Sequence, residues 1–248
     1  MSGPVLLTGW AGRVGEAILE GHRDDYEWRL YDREPPTADT PGDAYVGDLT
    51  DRERLLDAME GATAVVHLAG DSRREASWES VLTNNIDGTQ AVFETAVACN
   101  VERVIFASSN HAVSWYETDE RVPAMYRPGG PLMLDGSELP RPGNLYGVSK
   151  VAGEVLGRYY HDEYGLQVAI VRIGNLTRGR PPRDYERGQA MWLSYRDCAH
   201  LFDRCLLATY DYEIVYGISD NDRKYYSLER ARDVLGYEPR DNSADHED

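Results

Sequence analysis

The 248-residue chain carries 43 acidic against 26 basic residues, a formal net charge of −17, and 42% of it is hydrophobic. That composition belongs to a globular chain long enough for one large core, and so acidic a surface excludes nucleic acid and anionic membranes as partners. Lys150 and Lys224 are its only lysines, a make-up that suits a halophilic protein, because salt screens the self-repulsion of the acids.

No run of about 18 apolar residues is present to span a membrane, and residues 1–4 lead into a strand without a signal-type apolar region, so a cytoplasmic location is expected. Cys99, Cys198 and Cys205 lack CxxC spacing, and neither a disulfide nor a metal site is expected.

In chain order, residues 4–8 form an apolar strand that runs into Gly9-Trp10-Ala11-Gly12-Arg13-Val14-Gly15 and then an amphipathic segment through Leu19. Strand, glycine turn and helix in this order let the backbone approach a pyrophosphate and meet it with helix N-terminal amides, here those around Arg13 and Val14. A glycine turn by itself also serves plain strand-to-helix packing. The second strand, 27–31, ends at Asp32, 17 residues after Gly15. A carboxylate there accepts from ribose hydroxyls and repels a 2′-phosphate, which favours NAD over NADP, while Arg33 beside it could tolerate the phosphate.

Residues 43–46 read as a third strand closed by Gly47-Asp48-Leu49, and 63–68 as a fourth, through Leu68 into Ala69-Gly70. A long helix over 77–98 contains Asn85, and a fifth strand over 101–107 ends in Ser108-Ser109-Asn110-His111. In an open parallel sheet, ligands collect where strands end.

Beyond a Pro- and Gly-rich loop at 117–143, a helix from about 146 to 164 opens with Tyr146 and Lys150, which share one face four residues apart. An ammonium beside a phenol favours the phenolate and makes a base able to strip a hydroxyl proton; the alternative is a helix with one exposed lysine. A sixth strand over 166–172 passes through Ile173 to Gly174-Asn175-Leu176, then come a loop, a helix over 195–208, a strand over 212–217 and a helix over 228–235. The alternation predicts an α/β fold: a Rossmann-like doubly wound parallel sheet over 1–175. Residues 176–240 form a small C-terminal substrate-binding cap on the same domain, and 241–248 a disordered acidic tail.

Thr8-Gly9-x-x-Gly12-x-x-Gly15, Asp32, Asp48-Leu49, His67-Leu68-Ala69-Gly70, Asn85, Ser109 and Tyr146-x-x-x-Lys150 together resemble the extended short-chain dehydrogenase/reductases over about residues 4–240. Within them, residues 107–111, 172–175, 192–194 and 216–219 resemble the uronate dehydrogenases, and the runs 186–198 and 212–226 resemble the haloarchaeal NAD-dependent glucose-6-phosphate dehydrogenases. The resemblance implies NAD as cofactor, held by Gly9, Gly12, Arg13, Val14, Gly15, Asp32, Arg33, Asp48, Leu49, Leu68, Ala69, Gly70, Asn85, Tyr146, Lys150 and Ile173. It implies oxidation of an anomeric C1 hydroxyl, of glucose 6-phosphate or a uronate, with Tyr146 as base, assisted by Lys150 and Ser109. Substrate contacts would be Ser72, Ser109, Asn110, His111, Asn175 and Arg187, and a homodimer would pair the 77–98 and 146–164 helices with their symmetry mates.

Some of these positions have a plainer reading. His111 could be a partly buried, hydrogen-bonded histidine, and Asn175 stands where uronate enzymes usually carry serine. The segment 178–187 sets four arginines against two acids, either a pole for an anionic substrate or a solvated loop paired to the acidic surface. Arg73 and Arg74 could reach the far end of the sugar as well. A nucleotide-sugar epimerase would need a roomier C-terminal region, and a dinucleotide sensor would have no need of Tyr146 and Lys150 together.

Overall fold

The computed structural model describes residues 3–118, 133–183 and 186–246. Among the described residues, nine strands occur in chain order: β1 (Val5–Thr8), β2 (Trp28–Asp32), β3 (Asp43–Val46), β4 (Ala64–His67), β5 (Arg103–Ser109), β6 (Gln167–Ile173), β7 (Asn175–Leu176), β8 (Trp192–Leu193) and β9 (Tyr212–Gly217). Seven of them form one parallel sheet in the order β3-β2-β1-β4-β5-β6-β9, and β7 pairs with β8 alone. This is the Rossmann-like α/β fold, and its strand order reverses direction between β1 and β4, where a crevice opens beyond the strand ends.

Both faces of the sheet are covered, so its central strands are continuous apolar runs rather than alternating ones. Leu7, Val66, Ile105 and Val171 pack on one side against Ile18, Leu201 and Phe202, which come from α1 (Arg13–His22) and, late in the chain, α7 (Tyr195–Leu207). Leu6, Val65, Val104 and Ile170 face the other side and meet Leu55, Val92, Phe93 and Tyr160. Those residues belong to α2 (Arg52–Met59), α4 (Gly88–Ala98) and α5 (Leu145–Tyr164). Two short helices, α3 (Trp78–Val81) and α6 (Glu186–Ala190), complete the set.

The placement of α5 follows from its sequence. Asn144 caps its start by accepting from the Gly147 amide at 2.8 Å, and Gly165 ends it in the left-handed conformation, φ 70°. In between, Gly153 lets the helix settle on β5: a Cβ there would lie 2.3 Å from the Phe106 ring. A buried ion cluster locks the same layers together. The Arg172 guanidinium of β6 donates to both Glu154 oxygens of α5 at 2.9 and 2.8 Å and pairs with Glu138, while Ser108 of β5 donates to Glu154 at 2.6 Å. The first turn of α5 is thereby held at the carboxyl edge of the sheet.

Several elements differ from the sequence reading. Helix α2 was not anticipated. The expected 77–98 helix is broken by a π-helical turn over Leu82–Asp87, and the expected 228–235 helix is a π turn over Ala231–Leu235. The 117–143 loop lies largely outside the described residues. Of the tail expected to be disordered, residues 241–246 are instead anchored: Asp241 accepts from the Ser194 hydroxyl at 2.6 Å, its amide donates to Asp197 at 3.0 Å, and Ser243–His246 form a 3-10 turn. Ser194, which caps α7, and Asp197 in its first turn supply the order that a polar segment cannot supply for itself. Residues 247–248 lie outside the described residues.

Candidate active site

One cavity of about 740 Å³ runs along the carboxyl edge of the sheet. At one end it is lined by Gly9, Gly12, Arg13, Val14, Asp32, Arg33, Asp48 and Leu49; Leu68, Ala69 and Gly70 follow, and at the other end stand Ser72, Ser109, Asn110, His111, Tyr146, Lys150, Ile173, Asn175 and Arg187. Twenty of the positions singled out in the sequence thus share one cavity.

The first end suits a dinucleotide. Gly9 has φ 73°, and a Cβ there would lie 2.5 Å from the Ala69 nitrogen, so only glycine lets β1 turn this close to β4. No side chain caps α1 at Gly12, which leaves first-turn amides for an anion. The Asp32 carboxylate accepts from the amides of Ala11 at 3.2 Å and Arg33 at 2.7 Å, which fixes it at the end of β2. Thr50 donates to Asp48 twice and holds its carboxyl below its ordinary range.

Two residues assigned to the cofactor do not reach the cavity. A Cβ on Gly15 would lie 2.3 Å from the Trp10 carbonyl oxygen, so this glycine allows α1 to pack under its own turn. Asn85 is buried on the π turn: its Oδ1 accepts from the Asp71 amide at 2.6 Å, and its Nδ2 donates to the Asp71 carbonyl at 3.0 Å and to Ser149 Oγ at 2.8 Å. Ser149 in turn donates to the Tyr146 carbonyl at 2.8 Å. Asn85 therefore ties the loop after β4 to the first turn of α5.

Tyr146 and Lys150 stand on one face of α5, with the ammonium 5.7 Å from the Tyr146 ring centre and 4.9 Å from that of Phe106. Burial lowers the Lys150 pKa to about 8, and Glu154 one turn later opposes the fall. Burial pushes the Tyr146 phenol up; the Ser109 hydroxyl acts the other way, and the Asp71 carboxylate adds to the rise. The phenol thus stands above its ordinary value, contrary to the lowering expected from an ammonium four residues away.

His111 lies edge-on to Tyr146, ring centres 5.6 Å apart. Because Asn144 Oδ1 is engaged by the Gly147 amide, its Nδ2 faces His111 Nδ1 at 3.0 Å, and that ring nitrogen must accept. Burial first, then the charges of Arg187 and Arg74, lower the His111 pKa to about 4. A neutral ring with its proton on Nε2 results, a donor rather than a cation.

The arginine segment separates into two parts. Arg187 lines the cavity and pairs with Glu117, whose carboxylate also accepts from the hydroxyls of Tyr225 and Tyr226 at 2.7 Å each. Arg178 pairs with Glu16 and Glu20 on the surface of α1, and neither Arg180 nor Arg183 lines the cavity. Arg73 turns to Asp71, at 2.6 Å, whereas Arg74 lines the cavity. The sequence reading gave no site role to Asn84, Leu176 and Met191, which also line it. Met191 carries no motif, but its backbone pairs with Asn175 at 2.7 Å, beside a residue already singled out. Among the described residues no group of His, Cys, Asp or Glu could hold a metal, and no helix is long and apolar enough to cross a membrane.

Comparison with known proteins gives these features a context. The chain is 63% identical, over 99% of its length and 96% of the other's, to the NAD-dependent glucose-6-phosphate dehydrogenase of Haloferax volcanii. It is 35% identical, over 96% of its length and 84% of the other's, to the uronate dehydrogenase of Pseudomonas putida. Its fold superimposes on a mutant uronate dehydrogenase from Agrobacterium tumefaciens in complex with NAD, with a TM-score of 0.84 and 31% identity over 98% of this chain and 86% of that one. Residues 5–194 match the NAD dependent epimerase/dehydratase family, and the chain belongs to that family.

Proposed function

We propose that this protein is an NAD-dependent dehydrogenase that oxidises the C1 hydroxyl of glucose 6-phosphate to the lactone. The observation that carries the proposal is a single cavity joining the glycine turn and Asp32 to Ser109, Tyr146, Lys150 and Arg187. The likeness to the Haloferax volcanii protein favours the phosphate sugar over a uronate.

Tyr146 takes the C1 hydroxyl proton as base. The Lys150 ammonium stabilises the phenolate, and the Ser109 hydroxyl donates to the reacting oxygen as carbonyl character grows. When bound, NAD supplies the oxidant that accepts the C1 hydrogen as hydride. Gly9, Gly12, Arg13, Val14, Asp32, Arg33, Asp48, Leu49, Leu68, Ala69, Gly70 and Ile173 hold the dinucleotide, and Asp32 directs the choice to NAD. His111 donates from Nε2 to the sugar, Ser72, Asn110 and Asn175 bind its hydroxyls, and Arg187 takes its anion. Residues 176–240 serve as the substrate-binding part of one domain, and the protein works in the cytoplasm as a homodimer. For the dimer, Val148, Val155 and Tyr159 leave an apolar stripe on α5, exposed by 37%, 63% and 52%, and sedimentation in molar KCl measures it directly.

The test is initial-rate NAD reduction in molar KCl with glucose 6-phosphate and glucuronate offered separately. Turnover of the phosphate sugar is expected. Turnover of glucuronate alone would make the protein a uronate dehydrogenase by the same chemistry, and failure of both sugars to yield NADH would favour an epimerase or a sensor.

A further inference from the structure

The substrate end of the cavity contains two guanidinium groups in different states. Arg187 is engaged with Glu117, a carboxylate only 4% exposed and fixed by two tyrosine hydroxyls. That pair is close to neutral, so Arg187 offers directed N–H donors and little net charge. Arg74 lines the same cavity, is exposed, and has no hydrogen-bond or ion-pair partner among the described residues. Its neighbour Arg73 is bound to Asp71. His111, between the two guanidinium groups electrostatically, is neutral near pH 7. Lys150 also stands at this end, but it is buried beside the Tyr146 ring; among the described guanidinium groups that line the cavity here, Arg74 is therefore the one without a carboxylate partner.

We infer that Arg74 is the specificity-determining residue for a doubly charged substrate anion: it completes, with Arg187, a two-guanidinium site for the phosphate of glucose 6-phosphate. This inference rests on the glucose-6-phosphate reading above. A carboxylate has two oxygens and is satisfied by one guanidinium fork, whereas a phosphate has three terminal oxygens and a charge near −2, and accepts a second fork. In molar salt the screening length falls to about 3 Å, so a diffuse positive field selects nothing and only a guanidinium in contact discriminates. The backbone beneath Arg74 is suited to that task, because Asn85 clamps Asp71 on both its amide and its carbonyl three residues earlier.

The test uses the full-length protein in molar KCl and compares Arg74→Ala with Arg178→Ala, which removes an arginine paired to Glu16 and Glu20 outside the cavity. For Arg74→Ala, KM for glucose 6-phosphate is expected to rise at least tenfold, with a much smaller fall in kcat. Isothermal titration of the NADH-loaded protein should show glucose 6-phosphate binding weakened by the same factor. Arg178→Ala should leave both within twofold, and Arg74→Lys should recover part of the loss, as a point charge without the fork. Wild-type protein that turns over glucose 6-phosphate while Arg74→Ala retains its KM and affinity overturns this inference alone. Wild-type protein that neither binds nor oxidises glucose 6-phosphate overturns the proposed function and this inference with it.

Discussion

Replacing Arg172 by methionine removes the centre of the buried ion cluster. The guanidinium is 1% exposed, and it is held between Glu154, 4% exposed, and Glu138, 11% exposed, with the Tyr216 hydroxyl 3.2 Å away. Without it Glu154 keeps the Ser108 hydroxyl among its partners, and Glu138 keeps Tyr216 and the amides of Asp135 and Gly136. An uncompensated buried carboxylate costs about 3 to 5 kcal/mol. For a domain of this size that corresponds to a fall in Tm of roughly 6 to 20 °C. Calorimetry at constant molar KCl measures it, and the loss should shrink as pH falls and the stranded carboxyls take up protons. Adding Glu154→Gln to Arg172→Met should recover stability, because the second change removes the orphaned charge. A loss below about 1 kcal/mol, or a double variant no more stable than the single one, would contradict the argument that the cluster is held by mutual compensation of buried charges.

Tyr146→Phe should lower kcat by about 10²- to 10⁴-fold while NADH binding, followed by fluorescence titration, is retained; unaltered turnover would remove the phenol from the chemistry. His67 is fully buried between Thr8 and Thr89, and burial lowers its pKa from 6.5 to about 3. Below pH 6.5 the unfolded chain holds a proton that the folded one lacks, so stability falls as pH falls; between pH 6.5 and about 4.5 this group alone accounts for roughly 2 to 3 kcal/mol. Urea titrations across that range should lose one proton's worth of slope in His67→Gln, and an unchanged slope would show that other groups set the acid limb. Gly9→Ala places a Cβ 2.5 Å from a backbone nitrogen, whereas Gly61→Ala, also at φ 73°, meets nothing within 4 Å. Gly61→Ala should cost about 1 kcal/mol from backbone strain with NAD affinity intact, and Gly9→Ala should cost more and also weaken NAD binding at least tenfold. Equal effects of the two would mean that close approach of β1 to β4 is unimportant.

Local chemistry made much of this architecture legible. The central strands announce themselves as uninterrupted apolar runs because both faces are covered, and the site residues follow those strands because a parallel sheet gathers its ligands at one edge. Helix α2 was within reach too: Asp51 accepts from the Arg54 amide as a cap, and Leu55, Ala58 and Met59 repeat at helical spacing, although charged residues between them mask the pattern. The π turn at 82–87 could not be read, since it depends on Asn85 finding partners in a loop 14 residues away and in Ser149, 64 residues on. The glycine spacing likewise does not distinguish Gly9, which admits the opposite strand, from Gly15, which admits only its own turn. The arginine-rich segment looked uniform as a string; Glu16 and Glu20 on one side and Glu117 on the other divide it in space.

The scarcity of lysine gives this protein an unusual chemical handle. It has two side-chain amines: Lys224, bonded to Asp220 at 2.9 Å near the surface, and Lys150, lining the cavity with a pKa of about 8. At mildly alkaline pH half of the Lys150 population is an unprotonated nucleophile, whereas an ordinary lysine remains almost wholly protonated. A small acylating reagent therefore acts as an active-site titrant here: modification of Lys150 reports occupancy of the cavity, with Lys224 as the internal standard and, besides these two, only the α-amine to be told apart in the peptide map.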